Sequence, residues 1–171
     1  IACATGWGPH YGGINSFNYD LLRALKAAMS GEVLVVCVVP NVDTETIAKV
    51  LKYDGVRLVS LGVAGSKLGA ELAGETWTAL QDHVPEMSDD KVWLGHDAIT
   101  GEISKILRER HGGRLALLHH MSYEHYENYA ASSGTAAAKV AKQKSLFAAA
   151  EICLAVGPLL RDALAEWCGD R

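Results

Sequence analysis

Ile1-Ala-Cys-Ala-Thr-Gly-Trp-Gly-Pro-His-Tyr-Gly-Gly-Ile14 opens the chain. A short apolar run leads into a loop punctuated by glycine and proline, and an amphipathic segment starts directly after Gly12-Gly13. In open α/β sheets such a strand-to-helix loop lies at the carboxyl ends of the strands, where ligands bind. Adjacent glycines let the backbone approach a ligand with no side chain between them. A helix beginning near Ile14 aims its first N–H groups at whatever the loop cradles, most naturally a phosphate or another anion. A tight turn with no ligand is the plain alternative.

The rest of the chain repeats this alternation. Strand-like runs fall at Ile1–Thr5, Val33–Val39, Val56–Leu61, Lys91–Leu94, Arg114–His119 and Ile152–Val156. Most are continuous apolar runs, as expected of strands covered on both faces. Segments of helical period lie between them. One stripe is Ile14, Phe17, Leu21, Leu22 and Leu25; another is Ile99, Ile103, Ile106 and Leu107. Further helices are expected over Thr44–Tyr53, from about Leu68 to Asp82, and over Leu159–Trp167. The expected fold is α/β: a Rossmann-like, doubly wound, mainly parallel sheet of about six strands. Tyr123–Ala138 reads as a long loop, either an active-site segment or a plain connection.

Composition narrows the function. The 171 residues suffice for one domain with a real core. A net charge of -4, with no local run of Lys or Arg, gives no footprint for nucleic acid. No segment reaches the roughly 18–20 apolar residues of a membrane span. Cys3, Cys37, Cys153 and Cys168 show no close pairing, so reduced structural thiols and a cytoplasmic setting are expected. Ile1 already lies inside a strand-like run, which reads as a domain cut from a longer protein.

Candidate chemistry sits where strands end. Gly6-x-Gly8-x-x-x-Gly12 approaches a dinucleotide fingerprint, but Pro9 stands in the turn and Asp43 lies well past the usual ribose-binding position. Gly95-His96-Asp97 follows the fourth strand. Asp97 fits the N-cap of the next helix, leaving His96 for ligand contact or for holding the loop. His119-His120 closes the fifth strand, and neighbouring strand residues point to opposite faces. His120, at the strand's exit, is the candidate for the site. The run His119-His-Met-Ser-Tyr-Glu-His125 lacks the spacing of a helical zinc motif, so no metal is expected.

These motifs together resemble the N-terminal domain of the family-four retaining glycosyltransferases, which have the GT-B fold. Pro9-x-x-Gly12-Gly13-Ile14 and the helix with Phe17 and Leu21-Leu22 resemble the family's first loop and helix. Val92-Trp-Leu-Gly-His96-Asp97-x-x-x-Gly101 resembles its fourth strand and turn, and Leu115-Ala-Leu-Leu-His-His120 the strand ending in its active-site histidine. Lys144-x-x-x-x-Ala149-Ala-Glu-Ile-Cys-Leu-Ala-Val156 resembles a strand that usually ends in valine-serine; here Gly157 follows Val156, so that hydroxyl is missing.

The resemblance implies that residues 1–171 form a single acceptor-side Rossmann-like domain. The C-terminal half, which holds the nucleotide of the sugar donor, is absent from this chain. His120 would be the catalytic residue, contacting the donor sugar, and Gly12, Gly13, His96 and Asp97 would bind substrate. A small-molecule or glycan acceptor and a nucleotide-sugar co-substrate are implied, without a cofactor or metal, and this piece alone would transfer nothing. Rivals are half of a GT-B nucleotide-sugar epimerase or phosphorylase, or a non-catalytic Rossmann-like sensor.

Overall fold

Each predicted strand is present in a computed structural model of the chain, which describes residues 1–29, 33–62, 69–123 and 136–169. The chain divides into two compact units, Ile1–Lys91 and Val92–Arg171. Six parallel strands and six α-helices among the described residues make the α/β, Rossmann-like arrangement that the alternation predicts.

The first unit contains β1 (Ala2–Cys3), a 3-10 turn (Pro9–Tyr11), α1 (Gly13–Ala28), β2 (Val36–Val39), α2 (Thr44–Asp54), β3 (Arg57–Ser60) and α3 (Ala70–His83). Its strands run in the order β3-β2-β1. Cys3 pairs with Val38, and Val38 with Val59. All four residues of β2 are buried, the signature of a strand covered on both faces. The Asp43 carboxylate accepts from Thr46 N at 2.7 Å and caps α2, so this acid has a local structural task.

The second unit contains β4 (Val92–His96), α4 (Asp97–His111), β5 (Arg114–His119), α5 (Ala136–Ala149), β6 (Ile152–Ala155) and α6 (Pro158–Cys168). Its strands run β4-β5-β6, with His96 opposite Leu118 and His119 opposite Ala155. Trp93, Leu107, Leu115, Leu117 and Phe147 form its fully buried core. Two glycines set the fit of α4 on β4. A Cβ on Gly95 would lie 2.6 Å from Gly101 Cα, so any larger residue there would push the helix off the strand.

The helices depart from their apolar stripes in an informative way. In α1 the buried residues are Asn15, Asn18 and Leu22, while Phe17 and Leu25 are exposed. In α4 they are Asp97, Thr100, Gly101, Ser104 and Leu107, with Ile99 exposed. Both helices follow the candidate site loops. Both turn small or polar side chains inward, where they bond to strand and loop: Ser104 Oγ donates to the Leu94 carbonyl at 3.1 Å, and Asn18 Nδ2 to Cys37 Sγ at 3.5 Å. α5 also departs from expectation, occupying a stretch whose beginning reads as loop. Its buried stripe is Gln143, Leu146 and Phe147, with only two apolar members. Residues 124–135, the rest of the expected loop, lie outside the described residues, as does Leu68 at the expected start of α3.

Candidate active site

The glycine loop of the first unit is organised by one buried side chain. Asn15 Nδ2 donates to the Tyr11 carbonyl at 2.7 Å and lies 2.9 Å from Thr5 Oγ1, tying both ends of the loop to the first turn of α1. Gly12 stands at the N-cap with φ 93° and ψ 173°, a conformation essentially reserved for glycine. Its carbonyl accepts from Ser16 N at 2.9 Å and starts the helix. No side chain caps α1. A Cβ on Gly12 or Gly13 would meet nothing within 4 Å, so both backbones border open space.

The second unit brings His96, Asp97, His119 and His120 together at the ends of β4 and β5. β4 runs two residues beyond its predicted end, so His96 is its last residue and the N-cap of α4. Asp97 is therefore not the N-cap expected from the sequence. It is the first helical residue, with φ 45°, a left-handed conformation that Asp tolerates better than most residues. That backbone turns the carboxylate inward, where it is fully buried. Thr100 takes over at the helix start, its Oγ1 accepting from His96 N at 2.9 Å.

The buried Asp97 carboxylate accepts from three donors. Oδ1 lies 2.7 Å from His119 Nδ1 and 2.8 Å from Gln143 Nε2, and Oδ2 accepts from His120 N at 2.9 Å. His119 is fully buried, its ring 5.2 Å from Phe147 and 5.0 Å from Trp167 between centroids. His120 is only partly buried, and its Nε2 meets His96 Nδ1 at 2.8 Å. His119 thus turns into the packing, while His120, one residue past the end of β5, bonds to His96.

Burial, reinforced by the neighbouring His120, holds the His96 imidazole down to about 4. Burial also lowers His120, against the opposing pull of the Asp97 charge. At neutral pH the two rings are therefore uncharged and joined by one N–H···N bond. Such a pair can accept or donate a hydrogen bond without bringing charge to the site.

Among the described residues, no group of three or more His, Cys, Asp or Glu is placed to hold a metal ion. No described helix is long and apolar enough to cross a membrane. A cavity of about 230 Å³ between β6 and α6, lined by Glu151, Cys153, Arg161 and Cys168 among others, includes none of the candidate residues.

A family model described as Family 4 Glycosyltransferase in conflict systems matches residues 1–170. The chain belongs to this family. No curated protein and no solved structure matches it. In this glycosyltransferase domain, Gly12 and Gly13 lie in the first unit, while His96, Asp97 and His120 are clustered in the second. Sequence reading missed Asn15 and Gln143. Each is a polar residue on a helix face that turns inward, and a search for apolar periodicity passes over both.

Proposed function

We propose that this glycosyltransferase domain is the acceptor-binding half of a retaining enzyme. The enzyme would move a sugar from a nucleotide-sugar donor to an acceptor hydroxyl on a small molecule or glycan. The observation that carries the reading is His120: a partly open, neutral imidazole whose ring bonds to His96 and whose backbone N–H bonds to Asp97. A ring held in this way can contact a sugar hydroxyl near the reacting carbon without adding charge. Gly12 and Gly13 would let the backbone approach the donor diphosphate or the acceptor. N–H groups at the start of α1 suit the charge that develops on a departing phosphate. His96 and Asp97, whose side chains are fully buried, would complete the substrate-binding set by holding His120, in a cytoplasmic enzyme using neither metal nor cofactor. The nucleotide of the donor would be held by a further domain outside residues 1–171.

The test is the intact parent protein assayed with nucleotide sugars and candidate acceptors. His120→Ala is expected to lower kcat about a hundredfold, the scale of losing a positioned polar group, with a modest fall in Tm from the lost bond to buried His96. His119→Ala is expected to act on Tm, since its ring is packed and bonded inside the second unit. The isolated domain is expected to show no turnover above a heat-killed control. A nearly full rate in His120→Ala, with a well-folded and inactive His119→Ala, would move the site to the neighbouring histidine.

A further inference from the structure

Gln143 lies on α5, 23 residues beyond His120 in sequence, yet its amide reaches the turn on which His120 stands. Its Nε2 is 2.8 Å from Asp97 Oδ1, 2.9 Å from the Met121 carbonyl and 3.3 Å from His119 Nδ1. A primary amide has two N–H bonds, and the two nearer oxygens use both. The proton between His119 and Asp97 is then carried by His119 Nδ1. The same accounting settles the amide's orientation, because a flipped Gln143 would point its oxygen at a carboxylate and a carbonyl.

The backbone around His120 is consequently held at two successive points. Asp97 Oδ2 takes the His120 N–H, and Gln143 takes the Met121 carbonyl. These bonds begin where sheet pairing ends, since the His119 carbonyl accepts from Val156 N at 3.1 Å. Gln143 is fully buried, and its Oε1 has no partner among the described residues. A buried amide oxygen without a partner is costly, and a methionine of similar volume would fill the same space without that cost. Packing alone therefore does not account for glutamine here; its two N–H bonds do.

We propose that Gln143 is a positioning residue for His120, setting the backbone of His120 and Met121 and, jointly with Asp97, the direction of the imidazole toward His96. The proposal rests on the reading of His120 as the sugar-contacting group, but its test is independent of that reading. The full-length protein, labelled with 15N at histidine, is measured without substrate. Gln143→Met is expected to change the His120 imidazole nitrogen shifts, because the ring no longer keeps one bond to His96. Exchange of the His120 amide should become about tenfold faster, the scale of one weakened charge-assisted hydrogen bond. Phe147→Leu, which loosens packing on the His119 ring but removes no hydrogen-bonding group from the carboxylate or the turn, is the control and should leave the His120 ring signals in place. Should Gln143→Met not fold, Asp97→Asn breaks the same arrangement from the other side and is read in the same way. Unchanged His120 ring signals in the folded variant, or an equal change in Phe147→Leu, would overturn the proposal. Because no sugar is involved, a failed transfer assay leaves this result standing, and a failed positioning result leaves the transfer reading standing.

Discussion

The glycine loop of the first unit and the histidine cluster of the second are both strand-end sites, but they are built by different means. The loop relies on backbone conformation: a glycine at φ 93°, a proline-led 3-10 turn and one asparagine tie. The cluster relies on side chains from β5 and α5 and on the His120 backbone N–H, which converge on a buried carboxylate from α4. In the first, local sequence specifies the shape, and substitution should act locally. In the second, partners separated by 22 to 46 residues share one charge, so loss of any member should spread to the others.

Removing the shared charge should break the contrast most visibly. Asp97→Ala leaves His119 Nδ1, Gln143 Nε2 and His120 N without their common acceptor. Each buried donor left unsatisfied costs about 1–3 kcal/mol, so a loss of about 3 kcal/mol or more is expected. That corresponds to roughly 6–12 °C in Tm for a chain of this size. Denaturant and thermal melts check it, and a loss below about 1 kcal/mol would mean that the carboxylate is not what holds the cluster.

The cluster should also carry a pH dependence of stability through His96. His96 takes up its proton near the ordinary value of 6.5 when unfolded and at about 4 when folded. Between those values the unfolded chain binds more protons, so stability is fully present above pH 6.5 and falls as the pH drops toward 4. The contribution is about 3 kcal/mol. His96→Phe should flatten this part of the stability curve, as measured by denaturant midpoints across that range. An unchanged slope in the variant would place the titration elsewhere.

The loop should give the smallest and most local effects, and its two glycines should differ. Gly12→Ala forces a Cβ onto a backbone that tolerates none and should cost about 1–3 kcal/mol. Gly13 is helical with open space around it, so Gly13→Ala should leave stability unchanged or raise it by about 0.4–1 kcal/mol. If ligand approaches this backbone closely, Gly13→Ala will weaken binding while the melt holds steady. Equal melts for the two variants would remove the distinction between them.

The alternation of short apolar runs and helical segments was sufficient to predict six strands, and β5 was predicted with both its ends correct. Strands covered on both faces are continuous in apolar character, so local sequence reveals them. The helix faces were less legible. The stripes of α1 and α4 pointed to Phe17, Leu25 and Ile99, yet Asn15, Asn18, Thr100 and Ser104 face inward. An apolar moment cannot show that an asparagine or serine is wanted inside, because the bond that makes its burial affordable is with a distant strand or loop. α5 was missed for a related reason: its buried stripe begins with a glutamine and lies in an alanine-rich segment of little contrast.

Sequence alone therefore determined the α/β class, the order of the strands, the glycine-rich first turn and the histidines at the strand ends. These follow from hydrophobic period, glycine's backbone freedom and the two-residue repeat of a strand, all of which act over a few residues. Only the tertiary structure decided that Asp97 turns inward instead of capping α4, that His96 and His120 share a hydrogen bond, and that Gln143 closes the cluster. The physical reason is that a buried polar side chain takes its role from its partner, and here the partners are brought together only when the second unit folds.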